Sequence, residues 1–306
     1  MHHLLPFSFE AVFSCVLYFC CRYDFFRFAK EDEGVSGITR IFQLLREQFR
    51  FEKRTCRMWL GIGMGVSLFF FSVQQFMEFV QLRGEPANIF DVFLYSATDP
   101  QSSMLIVLGY LFLLSDAPFV NERTLQLVIR TSRKIWNSSC IMYIGLMAFF
   151  YYGTILLLSM LLLAENGYWG ESWSIPLSQV AQNGNLMIFR FSVSFPYWNF
   201  MQEYSPIHAC ALVFIGNCLY AFFMGCMLYL GNLGMKYSLG TWAVLFVHFS
   251  GYIARREWNP KWSLQSYSSP AENGNFFPLA VLAVAIVLIS YIRVRNIDYQ
   301  ILDKEV

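Results

Sequence analysis

Apolar residues gather into long runs along the chain, separated by short polar stretches. Six runs approach the length of a membrane-crossing helix, about 20 residues with a range of roughly 17–25. They are Met58–Val80, Ser103–Phe119, Ser139–Ala164, Ala209–Leu230, Leu239–Ala254 and Phe276–Ile292. The second and fifth are short, which predicts local thinning, tilt or a partly buried end. A further stretch, Leu4–Cys21, is apolar but contains Pro6 and Glu10, leaving Ala11–Cys21 as its uninterrupted part. Those eleven residues are few for a crossing. The stretch lacks a basic flank and an A-x-A site, so it does not read as a signal peptide. Without it the bundle has six spans; with it, seven, and the N-terminus lies outside.

The period changes just before the first span. Ile38, Ile41, Phe42, Leu45 and Phe49 fall on one helical face, and Arg40, Gln43, Arg46, Glu47, Arg50 and Lys53 fill the other. An amphipathic helix with a basic polar face lies in the interface plane of a membrane. It reads either as an anchor or as an elbow that runs along the membrane before the first span turns upward. Between the first two spans, Asp91 and Asp99 flank apolar residues, which predicts a short surface helix.

The loop after the second span carries the most information. Asp116 sits at the membrane exit and Pro118 marks a helix boundary. Asn121 suits an N-cap, with Glu122 in the first turn and Arg123 beside it. Arg130, Arg133 and Lys134 crowd the far end, where a helix dipole favours cations. This predicts a short charged helix, read either as a solvated positive loop or as a docking helix for a cytoplasmic partner. Asn137-Ser138-Ser139 is a formal glycosylation sequon on the inner side, where it is silent. The 44-residue loop 165–208 holds Tyr168, Trp169, Trp173, Tyr197, Trp198 and Tyr204. Such aromatics belong at a membrane–water interface. The loop is expected to fold back over the bilayer surface or partly re-enter it, and either caps an exit route or seals the bundle.

Composition sharpens this picture. Of 306 residues, 56% are hydrophobic, 19% aromatic and only 14% charged, against about 25% charged in a soluble domain. Mean hydropathy is +0.43. This excludes an ordinary soluble enzyme, a disordered chain and a secreted disulfide scaffold, and leaves an all-α polytopic membrane bundle. The formal net charge of +1 gives no reason to expect nucleic acid. Where the charges lie matters more. With Arg22–Arg57 placed inside, 17 of the 22 Lys/Arg fall on the inner side, as the positive-inside rule requires. The C-terminal tail 293–306 is then cytoplasmic and the chain a multi-pass protein of the plasma membrane. Arg255 and Arg256, just beyond the fifth span, fit this orientation least well.

Candidate chemistry is sparse. There is no H-E-x-x-H, G-x-S-x-G or P-loop, and Asp116 has no second intramembrane Asp to form a dyad. His248 and Ser250 are two apart and so point to different helix faces; His248 reads as a lone interhelical histidine. The cysteines read as small apolar fillers, with acylation of the membrane-proximal Cys20 and Cys21 as the alternative. Polar groups within the spans are Gln74, Gln75 and Glu78 in the first and Asn217 in the fourth. Gln75, Glu78 and Asn217 are the candidates for a substrate pathway. Gly61, Gly63 and Gly65 offer a small-residue face for close helix packing.

The interfacial helix Ile38–Lys53, the six spans and the loop Asp116–Trp136 together resemble the membrane subunit of type-2 ABC transporters, of the kind found in Gram-positive bacteria. The stretch Ser-Asp-Ala-Pro-Phe-Val-Asn-Glu-Arg from Ser115, followed by Arg-Thr-Ser-Arg-Lys-Ile-Trp to Trp136, is similar to the junction of spans two and three in such permeases. The resemblance covers residues 36–300 as one permease-like domain, with 1–35 outside it. It implies a homo- or heterodimer of permease subunits bound to separate ATPase subunits. A peptide, antibiotic or lipid-like substrate would be exported. ATP and Mg would bind in the ATPase, and this chain would bind no cofactor and catalyse no reaction itself. Asp116, Glu122, Arg123, Arg130, Arg133 and Lys134 would form the coupling loop. Two departures stand out. Leu4–Cys21 is not in the family plan, and the family often places its re-entrant outer elements between spans five and six, whereas the longest outer loop here lies between three and four. A non-transporting sensor or scaffold remains open as an alternative, and a membrane enzyme using Asp116, Arg130 or His248 as a weaker one.

Overall fold

The computed structural model describes residues 37–52, 55–117, 131–183, 185–188, 191–234 and 239–295. The segment 1–35 with Leu4–Cys21, the loop residues Glu122, Arg123 and Arg130, and the tail beyond Arg295 lie outside the described residues. The chain divides into two units after Arg40, and the arrangement that follows is that of the second.

The apolar runs fold as helices, which satisfy the backbone N–H and C=O groups of each segment internally except at its ends. In chain order the helices are Gly37–Glu52 (α1), Cys56–Arg83 (α2), Asp91–Thr98 (α3), Pro100–Leu113 (α4) and Arg133–Leu162 (α5). There follow Ile175–Asn183 (α6), Trp198–Glu203 (α7), Pro206–Gly234 (α8), Leu239–Ile253 (α9), Pro270–Asn273 (α10) and Phe277–Arg295 (α11). Two small ribbons and three short helical turns, Ala254–Trp258, Pro260–Trp262 and Leu264–Ser268, complete the described elements. Ala87–Asn88 (β1) pairs in parallel with Gly167–Tyr168 (β2), and Asn185–Ile188 (β3) pairs antiparallel with Phe191–Ser194 (β4). The protein is an all-α helical bundle. Among the described residues four helices, α2, α5, α8 to Leu233 and α11, are long and apolar enough to cross a membrane, with 28, 30, 28 and 19 residues.

The two short runs have a physical cause. With 14 residues α4 rises only about 21 Å at 1.5 Å per residue, and α9 has 15 residues. Both are lengthened rather than isolated. α3 ends one residue before α4, and α9 continues into a wider π-type turn, Ala254–Trp258. The break at Asp99 follows from Pro100, which disfavours helical backbone at the preceding residue. Asp99 is extended, with ψ 128°. Its carboxylate restarts the helix by accepting from the Ser102 N–H at 2.8 Å and the Ser102 hydroxyl at 2.7 Å.

Contacts sort the helix ends into two groups, so the apolar helices α2, α4, α5, α8, α9 and α11 run alternately up and down. At the first end, Arg57 at the start of α2 forms an ion pair with Asp116, and Asn232 donates to the Ala117 carbonyl at 2.8 Å and to Thr241 at 3.2 Å. At the opposite end, Asn88 donates to the Gly170 and Ser172 carbonyls at 3.0 and 3.1 Å, tying β1 to the long loop. We name these the Asp116 end and the Asp91 end.

The helices meet closely where glycine allows it. Gly61 of α2 lies against Leu113 of α4, and Gly65 lies against Gly109; a Cβ on Gly109 would sit 2.6 Å from the Gly65 Cα. Gly63 faces open space, so the small-residue face uses Gly61 and Gly65 but not Gly63. The rest of the core is rich in buried tyrosine. The Tyr151 hydroxyl donates to the Ile106 carbonyl at 2.6 Å and Tyr110 to the Ile144 carbonyl at 3.0 Å. A phenol can fill apolar space where its hydroxyl finds an acceptor across a helix interface, as those of Tyr110 and Tyr151 do; the buried Tyr152 hydroxyl has none.

Candidate functional site

The residues expected to form the coupling loop are partly placed. Asp116 is half-exposed beside Arg57. Arg133 and Lys134 do not end a separate helix, as the charge pattern predicted; they open α5, which Ser132 caps by accepting from the Ile135 N–H at 3.4 Å. A cation at a helix N-terminus is poorly placed for that helix's dipole. Arg133 resolves this by donating to the Arg295 carbonyl at 2.7 Å, one of the acceptors left over at the end of α11. Trp136, taken as the end of the loop, is buried within α5. The two described stems are thus fastened to different helices, the Asp116 stem to α2 and the Arg133 stem to α11.

The amphipathic helix α1 forms, but its apolar stripe divides. Ile38 and Phe42 face outward, whereas Leu45 is buried and Phe49 partly so. The polar Gln48 and Glu52 share the inward face. Gln48 accepts from the Ser139 hydroxyl at 3.3 Å and donates to the Cys140 sulfur at 3.4 Å. Phe49 meets the Tyr143 ring edge-on at 4.9 Å. Burial raises the Glu52 carboxyl above its ordinary range, which the Thr55 hydroxyl and Arg57 partly offset. Ile41 is partly buried, and Arg46 and Arg50 remain on the exposed side, where Arg50 pairs with Glu47 at 3.0 Å.

The three residues expected to line a pathway are not brought together. Gln75 and Glu78 are exposed on α2, where Gln74 donates to Glu78 at 2.9 Å. Asn217 is fully buried in α8 and donates to the Val213 carbonyl one turn back, at 2.9 Å.

Other polar groups, invisible to hydropathy, bridge the helices. His248 is fully buried between α9, α8 and α4. Its Nε2 lies 3.0 Å from the Met104 carbonyl and its Nδ1 lies 3.0 Å from the Tyr220 hydroxyl. A carbonyl only accepts, so Nε2 carries the proton, and Tyr220 donates to Nδ1. Ser250 is exposed and returns its hydroxyl to the Val247 carbonyl at 3.0 Å, so it does not pair with His248. Asn137, the first residue of the sequon, is fully buried. It accepts from Tyr229 of α8 at 2.9 Å and donates to Ser290 of α11 at 3.0 Å.

The Asp91 end holds two further polar clusters. The expected surface helix α3 exists but is buried along its whole length. Its Asp91 accepts from the Asn88 N–H at 2.9 Å. Burial pushes the Asp91 carboxyl up to about 7, against the opposing effect of Ser174 and the Asn88 N–H. The second cluster centres on Arg255, whose side chain is 0% exposed. Its Nη2 donates to the Thr98 carbonyl at 2.7 Å and its Nε lies 2.8 Å from Glu272 Oε2. Burial raises the Glu272 carboxyl, and Arg255 opposes the shift. Of the two arginines that fit the expected orientation least well, Arg255 is thus a charge neutralised inside the protein, whereas Arg256 is exposed beside Glu257 at 3.3 Å. A spacing-based reading had no signal for the Arg255–Glu272 pair, whose members are 17 positions apart.

Among the described residues no three of His, Cys, Asp and Glu stand close enough together to hold a metal. In comparisons with known proteins, no family, no characterised protein and no solved structure matches this chain.

Proposed function

We propose that this chain is the membrane-spanning subunit of an ATP-driven exporter, working with a separate ATPase and a second permease subunit in the plasma membrane. The Asp116 end is cytoplasmic on this reading. Arg57, Arg133, Lys134, Arg293 and Arg295 are among the basic residues gathered there, as the positive-inside rule requires. All six apolar helices cross, the short α4 and α9 with local thinning of the bilayer. The outward Ile38 and Phe42 of α1 meet lipid at the inner interface. The substrate is a peptide, antibiotic or lipid-like molecule, and ATP and Mg bind to the partner.

The observation that carries the reading is how the loop stems are fastened. Asp116 is paired to the start of α2, and Arg133 is bonded to the end of α11. A push on loop 116–136 from below therefore acts at once on the first and last long helices of the bundle. A solvated positive loop needs no such attachments. The test is charge reversal. Arg130→Glu with Arg133→Glu is expected to abolish co-purification of the ATPase while the chain still inserts into the membrane. An ATPase that still co-purifies overturns the docking assignment.

A further inference from the structure

We propose that the segment Ala254–Gly274 is a hinged strap that closes the Asp91 end of the bundle, with Arg255 as its latch. The strap follows α9 as a π-type turn, two tight 3-10 turns at Pro260–Trp262 and Leu264–Ser268, and the single turn of α10. It does not float above the helices. Ser263, Gln265, Ser266, Ser268 and Ser269 are all buried, and the Ser268 carbonyl rests on Gly216 of α8, where any side chain would collide with it.

What fastens the strap is polar. Arg255, at the start of the strap, reaches the Thr98 carbonyl of the bundle and pairs with Glu272 near the strap's end, and Gln265 donates to the Pro100 carbonyl at 3.4 Å. Both attachments meet the same corner, the break between α3 and α4. An apolar seal would resist water. A buried ion pair, by contrast, roughly breaks even when both charges return to solvent, while deleting one partner is costly. The closed state also leaves Gln265 Oε1 and Ser269 Oγ buried without hydrogen-bond partners. Each unmet group penalises closure and is satisfied once water enters. Leu264, Tyr267 and Ala271 add apolar packing against the core, so the strap rests closed, while its polar contacts are ones that water can replace when it lifts. Seven positions before Arg255 along α9, two turns into the bundle, lies the buried His248–Tyr220 node. A lifted strap opens a polar route to that node from the Asp91 end.

The strap stands apart from the transporter reading, because testing it requires no ATPase and no substrate. Ser268→Cys places a thiol at a fully buried position on the strap. Its labelling by a membrane-impermeant maleimide is compared with the parent protein in membrane vesicles open at the Asp91 side. Glu272→Ala leaves the Arg255 charge unmatched and is expected to speed labelling at least about tenfold. The apolar pair Arg255→Met with Glu272→Leu keeps the strap shut, and labelling is expected to slow at least about threefold at an unchanged or higher Tm. Equal rates in all three proteins overturn the proposal. So does the apolar pair labelling as fast as the parent at an undiminished Tm, a result that does not depend on Glu272→Ala folding.

Discussion

Gly109 is the point where the packing can be tested most sharply. In Gly109→Ala the added Cβ would lie 2.6 Å from the Gly65 Cα, 2.9 Å from the Gly65 nitrogen and 2.6 Å from the Tyr151 hydroxyl. Carbon atoms in ordinary contact lie about 3.5–4.0 Å apart. The nearest obstacle is backbone and cannot rotate away, so α2 and α4 must separate by about 1 Å. Overpacking of this kind costs about 1–3 kcal/mol. Displacing Tyr151 also weakens its bond to the Ile106 carbonyl, worth about 0.6 kcal/mol for an average interhelical bond in a membrane. Against this, alanine gains about 0.5–1 kcal/mol over glycine in a helix. The expected net effect is a loss of about 1–3 kcal/mol. Gly63→Ala is the control. Its Cβ meets nothing within 4 Å, so only the propensity gain of about 0.5–1 kcal/mol remains. Equilibrium unfolding in mixed micelles reads both. The reasoning is refuted if Gly109→Ala matches or exceeds the parent in stability, or if Gly63→Ala is equally damaging.

Three further outcomes follow from the polar clusters. The Asp91 carboxyl has a folded pKa of about 7, above the ordinary value near 3.9. Its protonated form therefore stabilises the fold fully below about pH 4, and that contribution of about 4 kcal/mol is lost as pH rises to about 7. Asp91→Asn should flatten this part of the Tm-against-pH curve, and an unchanged slope would contradict the burial argument. In a double-mutant cycle, Asn137→Ala with Tyr229→Phe should show a coupling of about 0.6 and at most about 1.7 kcal/mol; strict additivity would mean that the 2.9 Å bond contributes nothing. Tyr220→Phe leaves His248 Nδ1 buried without its donor and should cost about 1–3 kcal/mol, whereas Ser250→Ala, on an exposed face, should be silent in the same unfolding assay.

Hydropathy alone made the bundle legible. The runs Met58–Val80 and Ser139–Ala164 lie within or largely within α2 and α5, and Leu239–Ala254 differs from α9 by one residue. The amphipathic period from Ile38 marked α1. Period and hydropathy describe one helix at a time, however, and the polar contacts that join helices depend on partners far along the chain. Asn137 and Ser290 are 153 positions apart, and Arg255 and Thr98 are 157 apart. For the same reason the sequence could place Arg255 at the end of a span but not foresee the carboxylate that neutralises it. Two aspartates flanking an apolar stretch point to a surface helix, but α3 is buried along its length. One aspartate is buried under the long loop, and the other caps α4.

The central claim is that an ATPase works from the Asp116 end, and one measurement addresses it directly. The tagged chain is purified from its native membrane in mild detergent, and the material is assayed for a bound ABC-type ATPase and for ATP turnover. The account predicts an ATPase in roughly equal amount, turning over ATP and lost from the Arg130→Glu, Arg133→Glu protein. A chain that purifies without any ATPase, from membranes in which it is folded and abundant, would contradict it.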